Sequence, residues 1–139
     1  MTDPGGSLVE RIFGAAPFVQ SLGIELTSFG DGWCETRLVV SPAHQQQHGL
    51  IHAGVLMTLA DHTCGGAAAT TTPDGQDVIT VENKVSFLRP GSAPLLLCRA
   101  VVLRSGKRIV FVEAEVTTEA RVVLAKASST LALIPLAPR

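Results

Sequence analysis

Asp61 is the residue of this sequence whose setting most demands a chemical reason. It lies in the run 54–70, where His62 is the only other residue able to carry charge and nearly everything else is small or apolar. An unpaired carboxylate costs several kcal/mol to bury. Asp61 is therefore held by a buried partner, caps a neighbouring element, or does chemistry. Just upstream stands Gln46-Gln47-His48-Gly49-Leu50-Ile51-His52-Ala53-Gly54, which joins polar side chains, two glycines and a helix start. A helix that begins near Ala53 or Gly54 aims unpaired N–H groups and a partial positive charge at whatever precedes it. Gly49 and Gly54 let a ligand come close to the backbone. The parts needed for acyl transfer are then at hand. They are a carboxylate as base or nucleophile, an amide side chain to position water or a carbonyl, and backbone donors for a developing oxyanion.

The hydrophobic pattern gives the elements that must hold these groups. Ser7 reads as the N-cap of a helix over 8–16 that Pro17 helps to end, and residues 1–22 form a helical lead-in. Two strand-like runs, 23–29 and 32–40, flank Gly30-Asp31, with Trp33, Glu35 and Arg37 alternating against Cys34, Thr36 and Leu38. The run 54–70 has no polar face and predicts a helix buried on all sides. Its small residues, Gly65 to Ala69, let surrounding backbone approach. His62 points about 100° around that helix from Asp61 and is expected to meet a neighbouring strand or subunit. After the turn Thr72-Pro73-Asp74-Gly75 come four β-patterned runs, 77–89, 95–104, 107–118 and 121–134, with short connections at Ser105-Gly106 and Glu119-Ala120. The order predicts an α+β domain: two strands, one buried helix, then a four-stranded antiparallel meander. One sheet with one helix leaves edges and surface to cover, and a homo-oligomer is the expected remedy.

Composition narrows the function classes. The 139 residues are 46% hydrophobic, 17% charged and 4% aromatic with a formal charge of -1, which fits one domain spanning 1–139 and not a nucleic-acid binder. Cys34, Cys64 and Cys98 lack the paired spacing of zinc or redox motifs and read as core residues in a reducing compartment. No leader peptide and no apolar stretch of membrane-spanning length is evident. The expectation is a cytoplasmic protein without membrane or nucleic-acid partners.

The pattern Gln46-x-x-Gly49-x-x-His52-Ala53-Gly54, then Leu59-Ala60-Asp61 and later Phe87-Leu88-Arg89-Pro90, resembles the PaaI-type hotdog-fold acyl-CoA thioesterases. The likeness runs from about residue 23 to 133 and agrees with the strand and helix order. It implies a hotdog fold, an antiparallel sheet of five to six strands wrapped around one long central helix. By this resemblance Asp61 is the catalytic carboxylate, as general base or nucleophile, and the Ala53 N–H polarises the thioester carbonyl. Gln46, where the family often has Asn, orients water or carbonyl; His52 orders the loop; Thr80 helps to place the water. Ala53 replaces the first glycine of the common His-Gly-Gly, which keeps the N–H but forbids an easy positive φ. The resemblance further implies a site shared across a dimer, with Asp61 of one copy facing the 46–54 loop of the other, and dimers that pair into tetramers. No cofactor is implied beyond the coenzyme A of the substrate itself.

Charge adds an independent hint. Between Glu82 and Glu113 no acidic residue occurs, yet Lys84, Arg89, Arg99, Arg104, Lys107 and Arg108 all fall there. Arg89, Lys107 and Arg108, beside turns, are first choices for the coenzyme A phosphates; a solvated strand face is the alternative. Leu56, Leu59, Ala60 and Phe87 are candidates for the acyl pocket. His44, His48 and His52 with Asp61 could be imagined as metal ligands, but Gly49 interrupts any helix there, and no metal is expected. No Gly-x-Ser-x-Gly elbow is present. Two readings keep the fold and change the activity. One is an acyl-CoA-binding protein without turnover, the other an enoyl-thioester hydratase or dehydratase.

Overall fold

In the computed structural model, which describes residues 4–136, six strands form one antiparallel sheet curved around a long helix. The extremes of the expected 1–139 domain, residues 1–3 and 137–139, lie outside the described residues. The lead-in is two helices where one was expected. Helix α1 (Pro4–Gly14) already contains Ser7, which is therefore not its cap, and Pro17 opens α2 (Pro17–Leu22) instead of merely ending α1. Proline suits that first helical position because its missing N–H would be unpaired there anyway. Gly23, at φ 81°, closes α2 in the left-handed region.

Strands β1 (Ile24–Gly30) and β2 (Trp33–Val39) form the expected hairpin, with Cys34, Thr36 and Leu38 turned inward and buried. Helix α3 (Ala53–Thr70) crosses the concave face, and β3 (Gln76–Phe87), β4 (Leu95–Ser105), β5 (Ile109–Thr117) and β6 (Val123–Pro135) follow. The sheet order is β1-β2-β4-β5-β6-β3, so the expected four-strand meander is corrected. Only β4, β5 and β6 run side by side, while β3 lies at the far edge against β6. Both edges of β4 are taken by β2 and β5, which leaves β3 to pair with β6, and the β3–β4 connection with Pro90 and Pro94 spans the distance between them. That segment crosses the end of the sheet, held by Ile51 N–H donating to Gly91 O at 2.8 Å and Val40 N–H to Pro94 O at 2.9 Å.

Helix α3 packs Leu56, Leu59, Ala60, Cys64 and Ala67 to Ala69 into the core. Gly66 is required: a Cβ there would stand 2.7 Å from Cys34 Sγ and 3.0 Å from Phe13. Gly65 meets nothing, so only one of the two glycines serves close packing. The expectation of burial on all sides is corrected as well. Ala53 and Met57 are exposed, Met57 by 42%, and Asp61 is half-buried. These residues recur every four positions and form one strip, on the flank where the sheet ends at β3. Burial pushes the Cys34 and Cys98 thiols up to about 12 and the Cys64 thiol higher still, so all three are inert packing. No helix among the described residues is long and apolar enough to cross a membrane.

Candidate active site

The 45–52 loop is closed by its own backbone. Gln45 and Ile51 form a β-bridge, Gln46 N–H donates to Leu50 O at 2.7 Å, and Gly49 turns the chain at φ 77°. The Gln46 side chain takes part too, its Oε1 accepting from the N–H groups of His48 and Leu50. Its carbonyl end is thus engaged, and its NH₂ remains as the outward donor.

His52 is the N-cap of α3: its Nδ1 accepts from Gly54 N–H at 2.8 Å and its C=O from Val55 N–H at 2.9 Å. An Nδ1 that accepts fixes the imidazole proton on Nε2. Of the first three helical N–H groups, that leaves Ala53 as the open donor, at the positive end of the helix. Ala53 is helical and needs no positive φ, so alanine serves where glycine is common. Gln46, Leu50, Ile51, His52, Ala53 and Leu56 line an open cavity of about 480 Å³, completed by Phe87, Arg89, Pro90 and Gly91. Leu59 and Ala60 face the core instead.

The sequence did not single out Pro90-Gly91 as lining. Gly91 is buried, and a Cβ there would meet Ile51 Cβ at 3.0 Å. The adjoining proline was the available signal. Of the other histidines, His44 clamps structure, with Nδ1 accepting from Ser41 N–H and Nε2 donating to Leu22 O. His62 meets α1 where a strand or a second subunit was expected. Its Nε2 donates to Ile12 O at 3.0 Å and its ring meets Phe13 edge-on at 4.6 Å. Burial lowers the His62 pKa, so the ring is neutral.

Asp61 does not line that cavity. It follows Ala53 by eight residues, which sets the two about 12 Å apart along α3. One carbonyl cannot bridge them within a protomer. Thr80 Oγ1 donates to Asp61 Oδ1 at 2.9 Å, which orients the carboxylate and leaves Oδ2 free. The cationic candidates also separate. Arg89 donates to Val123 O at 2.6 Å, whereas Arg108 O accepts from Leu133 N–H. Those anchors are ten residue steps apart along β6, roughly 33 Å. Lys107 and Arg108 therefore stand at the opposite end of the sheet from Arg89, and one protomer cannot join all three on one phosphate.

Residues 48–125, over half of the chain, match the thioesterase superfamily. The chain is 30% identical over 115 residues to 1,4-dihydroxy-2-naphthoyl-CoA hydrolase of Listeria monocytogenes, covering 82% of this chain and 93% of that one. A thioesterase family protein of Silicibacter pomeroyi superposes with a TM-score of 0.90 at 28% identity, over 95% of this chain and 99% of that one. The PaaI protein of E. coli, from the phenylacetic acid degradation operon, shares the fold at a TM-score of 0.83 and 22% identity, over 94% of each chain. The chain thus belongs to the thioesterase superfamily, and its fold is the hotdog fold it shares with PaaI. It is a thioester hydrolase.

Proposed function

We propose that this chain hydrolyses acyl-CoA thioesters with small aryl or short- to medium-chain acyl groups, in sites built between two copies. The carrying observation is the separation of Asp61 from the Ala53 N–H on one helix. A second copy, antiparallel through the free edge of β3, supplies the missing half. The edge is suited to this, since Ile79 and Val81 are 54% and 62% exposed and Met57 is exposed on the same flank of α3. An unpaired apolar edge is a template for another strand.

In such a site the Ala53 N–H and the Gln46 NH₂ of one copy donate to the thioester oxygen. Asp61 Oδ2 of the other takes a proton from water, and the hydroxide adds to the carbonyl carbon. The tetrahedral oxyanion collapses, the C–S bond breaks, and the Asp61 proton passes to the departing thiolate. Direct attack by Asp61 would instead give a mixed anhydride, which water then opens. Leu56 and Phe87 contribute to the acyl pocket, and Gly49 and Gly54 let the substrate near the backbone. An antiparallel pair also brings Lys107 and Arg108 of the second copy to the sheet end that carries Arg89, a shared grip for coenzyme A phosphates. The assembly is a homodimer or two such dimers paired, and the free thiols fit the cytoplasm.

Thiol release from a panel of aryl and aliphatic acyl-CoAs, by wild type and Asp61→Asn side by side, tests the assignment. Turnover by wild type and a loss of about 10² to 10⁴ in kcat in the variant are expected. Equal activity in the two would overturn the role of Asp61.

A further inference from the structure

Asn83 is the one described residue whose side-chain Oδ1 and Nδ2 are both withdrawn from solvent and both without a hydrogen-bond partner. Buried polar groups are nearly always paired, and an exception needs a reason. Its place supplies one. Asn83 pairs with Ser129 and Thr80 with Leu131, and both of those β6 residues are buried, so both β3 side chains face α3. Residues three apart on a regular strand face opposite ways. A bulge between Thr80 and Glu82 inserts one residue and turns both to the same side. Bulges beside active sites re-aim side chains in this way. Among the described residues, Thr80 to Asp61 is the one side-chain hydrogen bond across the α3–β3 seam. The orphaned amide lies along that same seam, displaced toward Phe87 and the cavity at the start of α3.

We infer that Asn83 is a specificity-determining residue, hydrogen-bonding a hydroxyl or keto oxygen carried by the acyl group when the seam opens to admit it beside Asp61. The inference rests on the thioesterase reading above. An amide offers two donors and an acceptor, so a hydroxyl satisfies it in either sense. A plain alkyl or unsubstituted aryl group leaves it orphaned. The phosphates of coenzyme A are excluded from this position, because their charge belongs with the exposed cations and not in a buried seam. A site built to pair a polar group discriminates against the analogue that lacks it. Recovering one orphaned group corresponds to about 5- to 150-fold in selectivity.

The test compares kcat/KM for pairs of acyl-CoAs that differ by one hydroxyl, on wild type and Asn83→Leu, with thermal melting and gel filtration of both proteins. Wild type is expected to favour the hydroxylated member by about tenfold. Asn83→Leu is expected to bring the ratio near one, to gain on the plain ester, and to melt no lower. An unchanged ratio overturns the inference. So does a parallel loss on both esters, or dissociation of the oligomer, each of which makes Asn83 structural. Should Asn83→Leu not fold, Asn83→Thr, which suits a strand, carries the same comparison. Absence of thiol release from any ester by wild type would sink the thioesterase reading instead, and release with an unaltered ratio sinks only the role of Asn83.

Discussion

Two substitutions on one helix distinguish a shared site from a site within one protomer. Ala53→Pro removes the open N–H at the first turn of α3 with little other damage. Proline is at home at that position, and His52 already has φ -61° and ψ 136°, the extended geometry that a residue before proline prefers. Loss of one oxyanion donor lowers kcat by about 10² to 10³. Asp61→Asn removes the proposed base or nucleophile and is expected to lower it at least as far. In a mixed dimer of the two variants, a site that takes Asp61 from one copy and Ala53 from the other occurs in two forms. One carries both lesions and the other carries neither. Random pairing makes about half of the dimers mixed, each with one intact site of two. The mixture therefore recovers about a quarter of wild-type activity from parents that have almost none. The assay is thiol release after joint refolding of the two variants, with mass spectrometry to count mixed dimers. If mixed dimers form and activity stays at the parental level, the shared site is refuted.

Two further outcomes concern the scaffold. Gly66→Ala drives a Cβ against Cys34 and Phe13 and is expected to cost about 1 to 3 kcal/mol, while Gly65→Ala, which meets nothing, stabilises α3 by up to about 1 kcal/mol; thermal melts that shift in the same direction would contradict the packing account. His62 is neutral when folded, with a pKa below its ordinary value, so the unfolded chain binds the extra proton as pH falls below about 6.5. Stability is complete above that pH and declines on acidification toward the lowered folded value. His62→Gln is expected to flatten melting temperature against pH in that window, and an unchanged slope would remove His62 as the cause.

The local half of this architecture was legible because its causes are local. Strand alternation set Cys34, Thr36 and Leu38 of β2 on one face, and the apolar run after His52-Ala53-Gly54 located α3 with Asp61 on it. Strand order was not legible. Alternation says which face is buried but not which strand lies alongside, and β3 finds its neighbour in the last strand of the sheet. The open strip of Ala53, Met57 and Asp61 was hidden for a related reason, since a sequence records apolar character without recording whether its own chain or another copy covers it. Lys107 and Arg108 looked like companions of Arg89 because they are close in number, and strand length then carried them to opposite ends. The engagement of Gln46 Oε1 within its own loop depends on a turn geometry that residue types alone do not specify.

The pairing of β3 with β6 also sets when the Asp61 carboxylate acquires its orientation. Phe87 pairs with Ala125 and Gln76 with Pro135, so the sheet partner of β3 is synthesised only after β4 and β5. Such long-range pairing is slow to form, and until it does a strand rich in apolar residues waits on an unfinished sheet. Thr80 is held against Asp61 only once β6 has docked. The orientation of Asp61 therefore depends on β6, and a chain cut before that strand keeps the motif without the contact that orients its carboxylate.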